Sequence, residues 1–561
     1  MKDIKVNGPA DLATAIDETI AKMVEGNVTQ RIWEKDHTVW APEPAEISNR
    51  LGWLDIGERM VTEVAGIMAF VDEVEGAGMT DVVLLGMGGS SLAPEMFYTF
   101  FGGERLRVQV LDSTHPDAIA ALEGSIDLEK TLFVVSSKSG GTVETLSFFK
   151  YFFTQMVRAV GEAEAGAHFV AITDPGSKLS RWAEELGFRK VFLNDPDIGG
   201  RYSALSFFGL VPAALGGADI GLLLERANRE AASGGESIVD GDSPAVQLGV
   251  FLGTAARLGR DKLTLVTSAE LASFGYWVEQ LVAESTGKMG VGILPIEGEA
   301  LRSVDAYGED RIFVYLRLAG DTTYDEAIAE LVEAGQPVIQ SDWPDKYALG
   351  GAMWRWEMAT AVAGYCLQIN PFDQPNVESA KVQARKVVAQ YTETGSLPSE
   401  EALVSEDGLT IYGEGKGSSV ADALGSFWGQ VKENDYVAIQ AYLPMQKRNE
   451  QALMMLRETI GATHDVATTV GYGPRFLHST GQLHKGDGGN GVFLVITNEP
   501  EAARDIPAEA GSEETEMPFG VLIAAQAMGD IGALREAERR VMRVHIEEDL
   551  LAGLAKITAT L

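Results

Sequence analysis

Cysteine is almost absent from this chain: Cys366 is the single one in 561 residues. No internal disulfide can form, and because Cys366 lies in an apolar helical run it is expected to be a buried packing thiol. A reducing, cytoplasmic setting is the matching expectation. Positive charge is also scarce, with 45 Lys and Arg against 82 Asp and Glu, a net charge of −37. Repulsion on that scale disfavours nucleic acid or an anionic membrane surface as a partner. An anionic small molecule would have to be held by a few local cations, among which Lys138, Arg201 and Lys288 stand out. Long apolar runs are missing as well. The longest stretch, 205–224, is broken by Pro212 and Asp219 and reads as a pair of core helices, not a membrane span. The amino-terminal MKDIKVNGPADLATAI has no long apolar segment after its basic residues, so no secretory signal is expected. Histidine is sparse: there are seven, and none from 169 to 463.

What is present is ample material for folding. Apolar residues make up 45% of the chain, and its length calls for two or more domains. Residues 1–80 carry apolar side chains at helical spacing, in 12–23 and 56–74, and no strand pattern. From Asp81 the style changes to short apolar runs alternating with amphipathic stretches: DVVLLGMGG, RVQVLDS, TLFVVSS, HFVAITD and KVFLN. That alternation predicts a parallel, doubly wound sheet, with the site on loops at the carboxyl ends of its strands. KLTLVTS, VGILPI, RIFVYLRL and QPVIQS, between 262 and 341, suggest a second sheet of the same kind. Residues 392–434 read as a connector or insertion, rich in Gly, Ser, Thr and Glu in their first part. Strands at YVAIQAYLP and GVFLVITN and helices over 446–460 and 525–544 follow.

The chemistry concentrates in TLFVVSSKSGGTVET, 131–145. A β-branched strand runs into a loop carrying the hydroxyls of Ser136, Ser137, Ser139 and Thr142, the charge of Lys138 and the unshielded amides of Gly140 and Gly141. A helical pattern begins at Val143, so a phosphate here would meet side-chain donors, loop amides and the positive end of a helix dipole. An ordinary serine-rich turn is the plain alternative. The turn GMGGSSLAPEMF, 86–97, lacks the G-x-G-x-x-G spacing of a dinucleotide site, although Asp112 lies at a tempting distance beyond it. Its double serine, paired with the second hydroxyl-rich loop, favours a sugar phosphate.

The strings GMGGSSLAPE, SSKSGGTVET, DIGGRYSALS, QLVAESTGK and NPFDQPNVESAK, in that order over 86–381, resemble the glucose-6-phosphate isomerase family, and LHSTGQ at 477–482 extends the likeness. The resemblance implies an α/β fold of two SIS-type doubly wound parallel-sheet domains behind the N-terminal helical segment, and interconversion of glucose 6-phosphate and fructose 6-phosphate with neither metal nor cofactor. The expected organisation is 1–80 helical, 81–235 the first SIS domain with the phosphate loop, and 236–391 the first part of the second, with 392–434 the connector and 435–561 completing the second domain. The resemblance places the substrate phosphate on Ser137, Lys138, Ser139 and Thr142, and sets Gly89 and Ser90 along the sugar. It makes Arg201 the cation facing the enediolate and Glu284 the base that moves a proton between C2 and C1. Gln374 is implied to contact substrate, and Lys381 to assist at the ring oxygen; seven residues apart, the two are expected on one helix face. Lys288 is given no catalytic role, because four residues from Glu284 it reads as a helix partner.

Ring opening calls for a histidine, and the family's usual position for it, between base and lysine, is empty here. RFLHSTGQLHKG has the H-x-x-x-Q pattern of the family's histidine segment, which aligns His478 with that residue and leaves His484 as the other candidate. The order glutamate, lysine, histidine is similar to that in the isomerase half of transaldolase–glucose-6-phosphate isomerase fusion proteins, as is the string WEKDHTVWAPEPAEISNRLGWL. A transaldolase barrel would need about 250 residues, which the segment before the first sheet does not offer. The family's usual homodimer is expected. Two alternatives remain open at this stage: a specificity that includes mannose 6-phosphate, and a non-catalytic SIS-type sugar-phosphate sensor.

Overall fold

The computed structural model describes residues 4–237, 243–413 and 415–561. All five expected strands of the first sheet form, in the order Arg107–Leu111, Asp81–Leu85, Thr131–Ser136, Phe169–Thr173, Lys190–Leu193. Every neighbouring pair is parallel. The three central strands are buried along their whole length, which is why their sequences are continuous Val, Leu, Ile and Phe with no polar alternation. The chain steps from Asp81–Leu85 to one side and then to the other, so the order reverses between that strand and Thr131–Ser136. A crevice opens at such a switch point, outside the carboxyl ends of the two strands. The loops there are 86–91 and 137–142, the two polar clusters singled out by sequence.

The second sheet runs Ile4–Asn7, Val338–Trp343, Arg311–Leu318, Lys262–Thr267, Leu294–Ile296. Four of its strands are parallel. Ile4–Asn7 is an antiparallel edge strand in the segment read as wholly helical. Lys5, Val6 and Asn7 are all exposed, and a strand this short carries too little periodicity to register. The apolar stretch 205–224 does form two helices, Phe207–Gly216 and Ile220–Ser237, and Cys366 is buried in Ala348–Leu367. Among the described residues no helix is long and apolar enough to cross a membrane.

In the remainder the expected strands Tyr436–Tyr442 and Gly491–Asn498 and the helix Lys447–His464 form, but their arrangement differs from expectation. Residues beyond 403 do not add strands to the second sheet; they build a third, of six strands, in the order Val404–Glu406, Leu409–Gly413, Arg540–Ile546, Gly491–Asn498, Tyr436–Tyr442, Ala467–Tyr472. Part of the expected connector is therefore sheet edge. The expected helix over 525–544 is Phe519–Glu536 followed by the strand Arg540–Ile546, whose alternation of Arg with Val and Met reads at helical spacing when joined to the helix before it. The third sheet has its own core and meets the second where Leu294 and Ile296 pack with Tyr436, Phe476 and Phe493.

One helix contact places a functional segment. Val377–Thr394 lies against Phe519–Glu536, and the two backbones close on Gly529, where a Cβ would sit 2.6 Å from the Ala384 nitrogen and 2.9 Å from the Ala380 oxygen. Neither atom can rotate aside. Gly529→Ala is expected to push the helices apart at a loss of about 1–3 kcal/mol, seen as a fall in the thermal midpoint, and to reduce activity because Lys381 rides on the displaced helix.

Candidate active site

The strand Thr131–Ser136 delivers the phosphate loop and the helix Val143–Val160 leaves it, with Thr142 at the N-cap position. Ser137 and Thr142 face each other across the loop with hydroxyl oxygens 3.0 Å apart. Ser139 Oγ accepts from the Gly141 amide at 3.2 Å. Gly140 has φ +64°, and a Cβ there would lie 2.8 Å from the Leu179 nitrogen, so only glycine closes this turn without strain. The first turn of the helix leaves its amides free of intrahelical partners. Lys138 is placed differently from the sequence expectation. Its Nζ pairs with the Asp174 carboxylate and donates to the Pro196 carbonyl at 3.0 Å, so two acceptors already share its charge, while the hydroxyls and amides remain the loop's other donors.

Gly89 and Ser90 belong to the turn Gly88–Ser90, after the strand Asp81–Leu85. This turn is pressed between two others. A Cβ on Gly89 would be 2.0 Å from the Gly200 oxygen, and one on Gly88 would be 2.7 Å from the His478 oxygen. Glycines here are what allow the first sheet's loop, the Arg201 turn and the His478 turn to meet.

Arg201 is 3% exposed and fully engaged. Its Nε donates to Ser285 Oγ at 2.7 Å, Nη2 to the Pro371 and Asp373 carbonyls at 2.8 and 2.9 Å, and Nη1 to Gln374 Oε1 at 3.0 Å. Nη1 also lies 3.3 Å from Glu284 Oε1. A surface ion pair is thereby excluded: this guanidinium is locked by its fork geometry beside the carboxylate expected to be the base. Lys288 braces the same loop from behind, with Nζ on the Asn370 carbonyl at 2.9 Å and on Asp373 Oδ1 at 2.8 Å. It lies beyond the end of the helix Phe274–Thr286 and is not a helix partner of Glu284. Burial, with Arg201 adding to it, pushes its ammonium down to about 8.

Gln374 and Lys381 do not share a helix, because the helix begins at Val377; Asp373 and Gln374 form the turn ahead of it, and from there Gln374 reaches Arg201. Lys381 is exposed on the first turns, where its charge acts on Glu144.

Glu284 and His478 are brought together by a residue the sequence reading passed over. Gln280, one turn before Glu284, donates from Nε2 to Glu284 Oε2 at 3.1 Å and to the His478 carbonyl at 2.8 Å. Glu144 is the second such residue. It lies in the first turn of the helix after the phosphate loop, 4% exposed, and its Oε1 is 3.0 Å from His478 Nε2. Burial alone would raise the Glu144 carboxyl, but the charge and hydrogen bond of His478, with Lys381 beyond, hold it below its ordinary value. His484, by contrast, is 3% exposed among Tyr436, Phe476 and Phe493, with Nδ1 3.2 Å from Gln440 Nε2. Burial, with Lys485 and Arg539 nearby, drives it well below the usual histidine value, so it is a neutral packing ring.

The opposite face of the Glu284 helix looks onto a cavity of about 590 Å³ that holds Glu279 and Glu297. Burial, with Glu297 adding to it, pushes Glu279 up to about 8; burial, with Glu450 adding to it, pushes Glu297 up to about 7. A carboxyl raised in the folded state binds protons there that the unfolded chain has already released, so stability is lost as pH rises from about 4.5 through about 8. The thermal midpoint is expected to be lower at pH 8.5 than at pH 6. Replacing both residues by glutamine should flatten that slope relative to the parent chain.

Residues 65–293 match the family model described as Phosphoglucose isomerase. A glucose-6-phosphate isomerase of Thermus thermophilus is 31% identical over 396 residues, covering 61% of this chain and 91% of that one. The chain belongs to the glucose-6-phosphate isomerase family. A second member, from Citrifermentans bemidjiense, is 35% identical over 272 residues, 45% of this chain and 49% of that one. Among solved structures, one of a hypothetical protein from Thermus thermophilus superposes with a TM-score of 0.58 at 25% identity, over 69% of this chain and 100% of that one. A glucose-6-phosphate isomerase from Chlamydia trachomatis gives 0.54 at 20% identity, over 70% of this chain and 90% of the other, a likeness of fold.

Proposed function

We propose that this isomerase interconverts glucose 6-phosphate and fructose 6-phosphate in a site assembled from all three sheets, with Glu284 as the base. The observation that carries the assignment is the placement of Arg201 Nη1 3.3 Å from Glu284 Oε1: a carboxylate able to take a proton from carbon beside a fixed cation able to meet the resulting oxyanion. The substrate's phosphate lies on Ser137, Ser139, Thr142 and the helix amides, with Gly89 and Ser90 along the sugar. His478, backed by Glu144, passes a proton from the C1 hydroxyl toward the ring oxygen, and Lys381 assists there. With the chain open, Glu284 removes the C2 proton, the fixed charge of Arg201 stabilises the enediolate oxygens with Gln374 in contact with the substrate, and Glu284 returns the proton at C1. A sensor would need the phosphate cradle but none of the remaining groups.

Every one of these residues belongs to one chain. His478, Glu144, Gln280 and Glu284 meet within that one chain, and activity per chain is expected to be independent of protein concentration. The ring-opening role is tested by His478→Ala, which should slow closed-ring glucose 6-phosphate far more than an analogue lacking the C4 and C5 oxygens, unable to close either a pyranose or a furanose ring. Equal losses on both would remove His478 from that role.

A further inference from the structure

We propose that Gln526 is a positioning residue that fixes the tautomer of His478 through Glu144. Gln526 lies on the helix Phe519–Glu536 of the third sheet, outside the part of the chain that matches the family model. It is 4% exposed. Its Nε2 donates to Glu144 Oε1 at 2.7 Å, the same oxygen that lies 3.0 Å from His478 Nε2. Thr114, fully buried at the end of the first sheet's edge strand, donates from Oγ1 to Gln526 Oε1 at 2.6 Å. The carboxylate, which can only accept, decides which way the amide points, and Thr114 holds its far end in place. A flipped amide would set an oxygen 2.7 Å from a carboxylate oxygen, so the NH2 group faces Glu144.

The consequence reaches the histidine. A carboxylate already accepting from an amide can accept again but has no proton to give, so His478 Nε2 must be the donor between the two. That leaves Nδ1 as the nitrogen free to exchange a proton with substrate. Without Gln526, Glu144 would lose a donor in a buried position, and the orientation of the imidazole would rest on one bond instead of a relay. The relay also joins separate parts of the fold: Thr114 and Glu144 come with the first sheet, Gln526 and His478 with the third.

The inference rests on the ring-opening role of His478, and the experiment separates the two. Gln526→Leu, Thr114→Val, the double variant and His478→Ala are compared on closed-ring glucose 6-phosphate and on the open-chain analogue lacking the C4 and C5 oxygens, with thermal midpoints recorded. Gln526→Leu is expected to lower kcat/KM on the closed ring about 10- to 100-fold, as the loss of a hydrogen bond to a charged group does, and to leave the open-chain analogue within about threefold. Thr114→Val should show the same bias more weakly, and the double variant should be no worse than Gln526→Leu alone, because Thr114 acts through the amide. If His478→Ala shows the bias while Gln526→Leu slows both substrates equally or neither, the proposal fails and the role of His478 stands. If His478→Ala shows no bias, both fall. Should Gln526→Leu not fold, Thr114→Val alone decides: no bias overturns the relay.

Discussion

Glu284→Gln is expected to abolish exchange of the C2 proton with solvent, lowering kcat by at least about 10²–10⁴, while fructose 6-phosphate still binds with a Kd within about twofold. The size follows from the chemistry: the amide cannot accept a proton from carbon, and nothing else in the site stands in its place. Binding is expected to survive because the proposed phosphate cradle of Ser137, Thr142 and the helix amides lies in a different loop. A small loss of thermal stability is also expected. The carboxylate accepts from Gln280 on one oxygen and faces Arg201 with the other, and an amide can satisfy only one of these donors. Proton exchange read by NMR, with binding read by calorimetry, checks both halves. Retained turnover would remove Glu284 as the base.

Arg201→Lys is the second large effect. Lysine keeps the charge but loses the fork, and a single ammonium cannot replace bonds to Ser285, Gln374, Pro371 and Asp373 together. The cation would no longer be fixed where the enediolate oxygen develops, a role worth about 10²–10³ in kcat for a preorganised donor. Because the guanidinium also ties the 371–374 turn to the Arg201 turn, the thermal midpoint should fall too. A kcat loss much larger on isomerisation than on ring opening of bound substrate is the expected signature; equal loss on both steps would mark Arg201 as structural.

The first sheet was legible in the sequence because its signals are local. Each strand is a short buried apolar run, and the loop after Thr131–Ser136 carries its own chemistry. Of the third sheet, Tyr436–Tyr442 and Gly491–Asn498 were legible for the same reason; the rest was not, since Val404–Glu406 and Leu409–Gly413 sit in a polar stretch, and Arg540–Ile546 pairs with strands far away in the chain. In the site, the residues of known motifs were readable one at a time, but their partners were not. Glu144 looks like any acid in a first helical turn, where the dipole favours it, and its contact with His478 spans 334 positions. Lys138 reads as a phosphate ligand until Asp174 is seen beside it. The H-x-x-x-Q pattern, which only His478 carries, favoured it over His484, and burial agrees: it seals His484 among aromatic rings and leaves His478 facing Glu144.

The central claim is that one chain holds phosphate cradle, base, enediolate cation and ring-opening histidine in a single working site. Incubating the purified protein with fructose 6-phosphate in deuterated water and following the products by NMR tests it most directly. Formation of glucose 6-phosphate carrying deuterium at C2 is the predicted result; binding of fructose 6-phosphate with neither product nor deuterium exchange would contradict the account and leave a sugar-phosphate sensor in its place.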